Sequence, residues 1–527
     1  MVLDNLSHFS KRQILTLIVF SIADFCNAIC VSLQAPFYPK EMALLILMAE
    51  KKGASATEYG LVFGVFELVV FVISPIYGQH LNRIGPKYLF NGGIFTTGIC
   101  AILFGFLDKV EGHLPFIILS FVIRIVEALG NAAFLTASFA IIAKEFPENV
   151  ATTFASLETF FGLGLIVGPT VGGALYEIGG YTTPFLVLGS VLFLSAIMTA
   201  FVLPDHAEHE IDTKQSGSLK KVLKIPGVLL AAVSIVVTSM SIGFLSATLE
   251  PHLRQFELSS VILGLMFVIN GGTYAVTAPC WGWLCDKKVM PKLCTFAGCL
   301  LLIVGFLLIG PAPFVYEKTV LWVTIVGLMI HGLGIAALLV SSFTDALRTA
   351  ISNGFSNNLE TYGLISGLWT STFALGAFLG PSLAGILYDT WGFQHGSMSI
   401  VVFSAAIGLT VVLFIICSSR RQHSYKEIGK STENFLIGSK YSTTNGTAGG
   451  ALSDTGSQKG QVFTPTASLP CERPPGMSGI ITCNSYKNRL GDWHRRDSNA
   501  LVDDFQAEED HREWHEVLEN TQEKDQF

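Results

Sequence analysis

Apolar runs of about 20 residues recur along the first 417 positions, separated by short polar stretches. Each is long enough to cross ~30 Å of hydrocarbon at ~1.5 Å per helical residue. Because hydrocarbon satisfies no backbone N–H or C=O, a spanning segment is either a helix or part of a closed barrel, and these unbroken runs lack the alternation of a barrel strand. The pattern predicts twelve spans, at 13–35, 58–78, 87–107, 113–139, 151–175, 182–203, 226–248, 259–283, 293–311, 319–342, 361–387 and 394–417. The expected fold is an all-α polytopic membrane protein with twelve transmembrane helices in two pseudo-symmetric six-helix halves. A polar stretch of mixed charge, 204–225, serves as cytosolic linker between an N-terminal half, 1–203, and a C-terminal half, 226–417. The apolar stretch 42–49 is too short to span and reads as an interfacial helix after span 1.

Polar positions between the runs set the orientation. With the N-terminus inside, Arg83, Lys87, Lys144, Lys214, Lys220, Lys221, Lys224, Lys287, Lys288, Lys292 and Arg348 all fall in cytosolic loops. Arg420, Arg421 and Lys426 follow the last span on the same side, as the positive-inside rule requires. Lys40, Lys51, Lys52, Lys109 and Lys318 lie in the opposite loops, so the bias is good but not clean. Lys11 and Arg12 precede a long run interrupted by Asp24, which reads as a first spanning helix and not a cleaved signal.

Composition agrees: 50% of the 527 residues are apolar and 14% charged, a balance that places the chain with membrane proteins. The net charge of -7 carries little information, because acid gathers near the end at Asp503, Asp504, Glu508, Glu509 and Asp510. The tail, 418–527, turns rich in Ser, Thr, Gly, Pro and Asn beyond 426 and is expected to be mostly disordered, with one short amphipathic helix at 500–520 and room for cytosolic partners. No basic groove with interleaved aromatics points to nucleic acid. The ten cysteines are scattered, and Cys26, Cys30, Cys280, Cys285, Cys294 and Cys299 read as small buried hydrophobes in or beside apolar runs, not as a disulfide or metal framework. Neither a nucleophile–base constellation nor a phosphate-binding glycine loop is present, so no enzyme and no cofactor are expected.

The strongest signal is an internal repeat. Gly164, Gly168, Pro169, Gly173, Tyr176, Glu177 and Gly180 in and after span 5 stand 212 residues before Gly376, Gly380, Pro381, Gly385, Tyr388, Asp389 and Gly392 in and after span 11. Gly78, Asn82, Arg83, Gly85 and Lys87 after span 2 echo Gly282, Asp286, Lys287 and Lys292 after span 8. Glycines allow close helix approach and Pro169 and Pro381 weaken the backbone ladder, a pattern that fits one half rocking on the other around a site near mid-membrane. A static bundle packed by small residues is the alternative. Arg83, Lys87, Asp286 and Lys287 are gating candidates, with simple orientation anchoring as the rival reading of the basic residues. The loop pair resembles the repeated loop signature of the major facilitator superfamily, and Gly164, Gly168, Pro169, Gly172 and Gly173 resemble the span-5 signature of its proton-coupled antiporters. Asn82 stands where that signature has aspartate, and Asp286 keeps it.

Ionisable residues inside a bilayer cost about 2.5–3.5 kcal/mol each on the lenient scales, so they line cavities or pair. Candidates for substrate binding or proton coupling are Asp24 in span 1, Glu67 in span 2, Arg124 and Glu127 in span 4, Glu158 in span 5, Glu250 at the end of span 7, and His331 and Asp345 in span 10. Trp369 and Thr370 in span 11 offer an aromatic face and a hydroxyl. Glu127 stands one turn after Arg124, so an intrahelical ion pair competes with a substrate contact. A cavity holding Asp24 and Glu250 would be negative and favour an organic cation, and a desolvated carboxylate can exchange its proton for that cation.

Asp24 with Asn27, then Pro36, Tyr38, Pro39, Lys40 and Glu41, Phe66 and Glu67, Leu157 and Glu158, and Glu250 and Pro251 resemble the vesicular amine transporter family, nearest its vesicular polyamine transporter-like branch, across most of 13–420. That resemblance implies exchange of luminal protons for cytosolic amines, with Asp24, Glu250 and Asp345 in the roles of the family's acids on spans 1, 7 and 10. Thr370 replaces the acid of span 11, and the stretch 42–49 is inserted between family-like segments. It also implies a vesicular or endolysosomal membrane, with plasma membrane as alternative, and a chain working as a monomer with lipid, protons and a small organic cation as partners. A facilitator or symporter of another solute, or a non-transporting receptor or scaffold, are the competing functions.

Overall fold

The computed structural model describes residues 9–34, 56–202, 218–287, 289–310 and 319–444. The stretch 42–49, most of the linker, and the acidic end with its expected helix at 500–520 lie outside the described residues. Ten separate long helices come first: α1 Lys11–Gln34, α2 Ala56–Ile84, α3 Pro86–Gly105, α4 His113–Glu145, α5 Val150–Gly179, α6 Thr182–Val202, α7 Pro226–Leu253, α8 Ser260–Asp286, α9 Pro291–Ile309 and α10 Leu321–Ser352. Three of them, α3, α7 and α9, open on proline, whose missing N–H costs nothing at a first helical position.

The last helix, Leu359–Thr444, contains an apolar stretch of 60 residues, Leu359–Ser418, which at ~1.5 Å per residue is about three times the hydrocarbon thickness. Gly392 breaks it with φ 71° and ψ 175°, a conformation open only to glycine at low cost. Its repeat partner Gly180 has φ 72° and separates α5 from α6 in the same way. The segments 359–391 and 393–444 are therefore α11 and α12, and the described residues hold twelve spans. The C-terminal ends of α4 and α10, at Glu145 and Ser352, overrun the predicted spans by several residues, because helical turns continue into the interface where hydropathy has already fallen. In the same way α12 keeps its helical backbone to Thr444, past the composition change at 426.

Glycines mark the seams, and they do so twice. On α5, a Cβ on Gly164 would stand 2.6 Å from Ala28 of α1, and on α11 one on Gly380 would stand 2.9 Å from Gly243 of α7. Gly93 of α3 backs on Gly130 of α4, and Gly298 of α9 backs on Gly334 of α10. The packing thus repeats the sequence repeat: α1 against α5 and α7 against α11, α3 against α4 and α9 against α10. Two seams join the repeats. Gly78 of α2 meets Gly363 and Gly367 of α11, and Gly282 of α8 meets Ala151 and Thr152 of α5. The two loop glycines singled out in the sequence both lie at close approaches between the halves, where a Cβ would stand under 3 Å from the facing backbone.

Candidate functional site

Between the halves lies a narrow cavity of about 50 Å³, lined by Asp24 of α1, Phe66, Glu67 and Val70 of α2, Asn131, Leu135 and Phe139 of α4, Leu157, Glu158 and Phe161 of α5, and Trp369, Thr370, Phe373 and Ala374 of α11. That volume holds roughly three to five water molecules. Among the described residues its charged lining is three carboxylates, with no Lys, Arg or His.

Asp24 is 1% exposed, and among the described residues neither carboxylate oxygen has a hydrogen-bond partner. A buried carboxylate without partners is costly while it is charged, and the cost falls if the group is neutral or meets a water or a ligand. Glu158, on the far wall, accepts a short hydrogen bond from the hydroxyl of Tyr274 on α8. Behind Asp24 the amide of Asn27 donates to Asn131 at 2.9 Å and ties α1 to α4. The opposite wall is aromatic. Trp369 stacks on Phe373 at 5.3 Å and meets Phe139 edge-on at 5.1 Å, and its indole N–H finds no acceptor among the described residues. Thr370 spends its hydroxyl proton on the carbonyl of Ser366, 3.0 Å away, leaving its oxygen as an acceptor.

Five sequence candidates, Asp24, Glu67, Glu158, Trp369 and Thr370, therefore share one cavity. The other candidates do not. Glu250 makes a two-pronged pair with Arg254 one turn on, at 2.8 and 2.9 Å, so the expected meeting of Glu250 with Asp24 does not occur. Asp345 is held by Lys292 at 2.5 and 2.6 Å near the end of α10. His331 sits wholly buried within the C-terminal half, 3.1 Å from the Asn270 side chain and 3.4 Å from the Ser241 hydroxyl. Arg124 and Glu127 form an intrahelical pair at 3.0 Å, the guanidinium lies 4.5 Å over the ring of Phe66, and neither residue lines the cavity.

The gating candidates divide similarly. Asp286 accepts from the N–H groups of Ala151 and Thr152 at 3.1 and 2.8 Å and from the Thr152 hydroxyl at 2.7 Å, while Arg348 lies 3.6 Å away. A carboxylate from α8 thus caps the first turn of α5, a position its own Asn149 leaves uncapped. Lys287 takes no part in this seam and lies 4.1 Å over Trp283. Asn82 and Arg83 are exposed, and Gly85, at φ 95°, turns the chain from α2 into Pro86 of α3; Lys87 follows in that helix. Gly168 packs on Ser32 of α1, Gly376 on Ser239 of α7, and Pro381 on Gly243. Pro169 stands in α5 as expected. Tyr274, Asn131 and the rings of Phe139 and Phe373 beside Trp369 were missed in the sequence; for the first two, an amide or hydroxyl inside an apolar run was the signal available.

Twelve spans in two repeats that enclose a polar cavity at their junction define a membrane transport protein. A model of the Major Facilitator Superfamily matches residues 20–359. The chain is 38% identical over 427 residues to the human (Homo sapiens) MFS-type transporter SLC18B1, covering 80% of this chain and 91% of that protein. It is 26% identical over 381 residues to the human Synaptic vesicular amine transporter, covering 70% and 68% respectively. The crystal structure of the human organic anion transporter MFSD10 (TETRAN) superposes with a TM-score of 0.57 at 17% identity over 76% of this chain, a likeness of fold. The chain belongs to the major facilitator superfamily and is related to SLC18B1-like transporters. It is a multi-pass secondary transporter of small organic solutes and not an enzyme.

Proposed function

We propose that this chain exchanges protons for an organic cation, a polyamine or a monoamine, by alternating access in a vesicular or endolysosomal membrane. The observation that carries this reading is Asp24, buried, with both oxygens unpartnered among the described residues, in a cavity whose charged lining among those residues is acidic. Facing carboxylates relieve their repulsion by taking either a proton or a cation, so one set of residues can bind and couple. Trp369, Phe139 and Phe373 supply ring faces that attract an ammonium group while excluding water. The similarity to a vesicular amine transporter supports the amine class and the vesicular membrane.

Uptake into proteoliposomes with an acidic interior tests it, with labelled spermidine, serotonin and a neutral sugar as substrates. Accumulation of an amine that collapses with the gradient and with Asp24→Asn, by at least about tenfold for loss of a buried charge contact, is the expected result. Sugar uptake without amine uptake would refute it.

A further inference from the structure

The Glu158–Tyr274 hydrogen bond occupies a particular place: its acceptor lines the cavity, and its donor belongs to the other half. Glu158 is 4% and Tyr274 8% exposed. Around them α5 and α8 form a continuous seam. The Thr159 hydroxyl donates to the carbonyl of Ala275 at 2.8 Å, and a Cβ on Gly162 would stand 2.9 Å from the Tyr274 ring. Asp286 closes the seam at one end. Among the hydrogen bonds described along that seam, the one to Glu158 joins the halves through a group that also lines the cavity.

We infer that Tyr274 and Glu158 form a substrate-operated latch, released when an ammonium group in the cavity draws the Glu158 carboxylate away from the tyrosine hydroxyl. The inference rests on the cation reading above and adds a positioning residue, Tyr274, that acts through Glu158. An ammonium offers the carboxylate a hydrogen bond with full ion pairing in place of a neutral phenol's hydrogen bond, so the exchange is favourable at the carboxylate while the tyrosine loses its hold. With no side chain on Gly162, the ring packs close against α5, and the hydroxyl bond is a polar restraint on its sliding. Binding energy is thereby spent on loosening one inter-half seam, which is what a transporter needs from its substrate.

The test uses the full-length chain in lipid nanodiscs, as wild type, Tyr274→Phe and Glu158→Gln. Amide hydrogen exchange is followed across 155–165 and 270–280 with and without spermidine, alongside gradient-driven spermidine uptake in proteoliposomes. In the wild type exchange should rise when spermidine is added. Tyr274→Phe, which keeps the ring, should exchange about tenfold faster without spermidine, the lower end for a hydrogen bond to a charged group, and respond little to it. Glu158→Gln still accepts from Tyr274 but carries no charge to attract the amine, and should stay slow in both conditions. Spermidine uptake with an unresponsive seam, or wild-type exchange in Tyr274→Phe, overturns the latch alone. Absence of amine uptake by the wild type removes the cation reading and the latch with it.

Discussion

Replacing Asp286 by alanine removes the carboxylate that caps α5 from across the seam. Three donors lose their acceptor: the N–H groups of Ala151 and Thr152 and the Thr152 hydroxyl, at 3.1, 2.8 and 2.7 Å. A single N-cap is worth about 0.5–2 kcal/mol, and hydrogen bonds to a charged group about 1.5–3 kcal/mol each before desolvation. The carboxylate is only 8% exposed, so much of that sum offsets its removal from water, and the net loss comes to about 2–3 kcal/mol. At ~1.4 kcal/mol per factor of ten this shifts the closed-to-open ratio of the seam about 30- to 150-fold. Amide exchange at 150–156, measured on the protein in nanodiscs, reads that ratio directly. Asp286→Asn, which keeps one acceptor without the charge, should fall between. Exchange in Asp286→Ala within twofold of wild type would refute the reasoning.

Two further substitutions test the packing. Gly78→Val places a side chain against the carbonyl of Gly363 and 3.1 Å from the Gly367 backbone, so α2 and α11 can no longer close and uptake should fall more than about tenfold. Gly60→Val, with nothing within 4 Å, should transport at the wild-type rate, and equal activity in both would refute the seam. Arg124→Met leaves Glu127, which is 0% exposed, without its guanidinium, at a cost of about 3–5 kcal/mol that thermal unfolding in detergent would show. Adding Glu127→Leu should restore most of it; a double variant as unstable as the single one would show that the pair is not the cause.

The two seams between the halves are built unequally. At α5–α8 a carboxylate caps a helix and a second carboxylate holds a tyrosine. At α2–α11 the contact is glycine on glycine, joined by the Ser371 hydroxyl donating to the Phe71 carbonyl at 2.7 Å. Asn82, which stands where the loop signature has aspartate, is exposed, so its loop supplies no counterpart of the Asp286 cap among the contacts described.

The sequence by itself determined the spans, because hydropathy reports how deep a segment lies, and depth is a property of neighbours along the chain. It also determined the duplication. Gly164 and Gly376, Gly78 and Gly282, and Gly180 and Gly392 must be glycine for close approach or positive φ, and that requirement is visible wherever it recurs. The pairing of Arg124 with Glu127 was legible too, since three residues is about one helical turn. What hydropathy does not carry is azimuth. Successive residues on a helix point about 100° apart, so an acid at mid-membrane faces the cavity, a neighbouring helix or its own turn according to how the whole bundle packs. Only the tertiary structure brought Asp24, Glu67 and Glu158 onto one cavity, and set Asp345 on Lys292 and His331 among its own half's helices. Tyr274 and Glu158, 116 residues apart, met for the same reason: a contact between helices is fixed by the seam they share, not by distance along the chain.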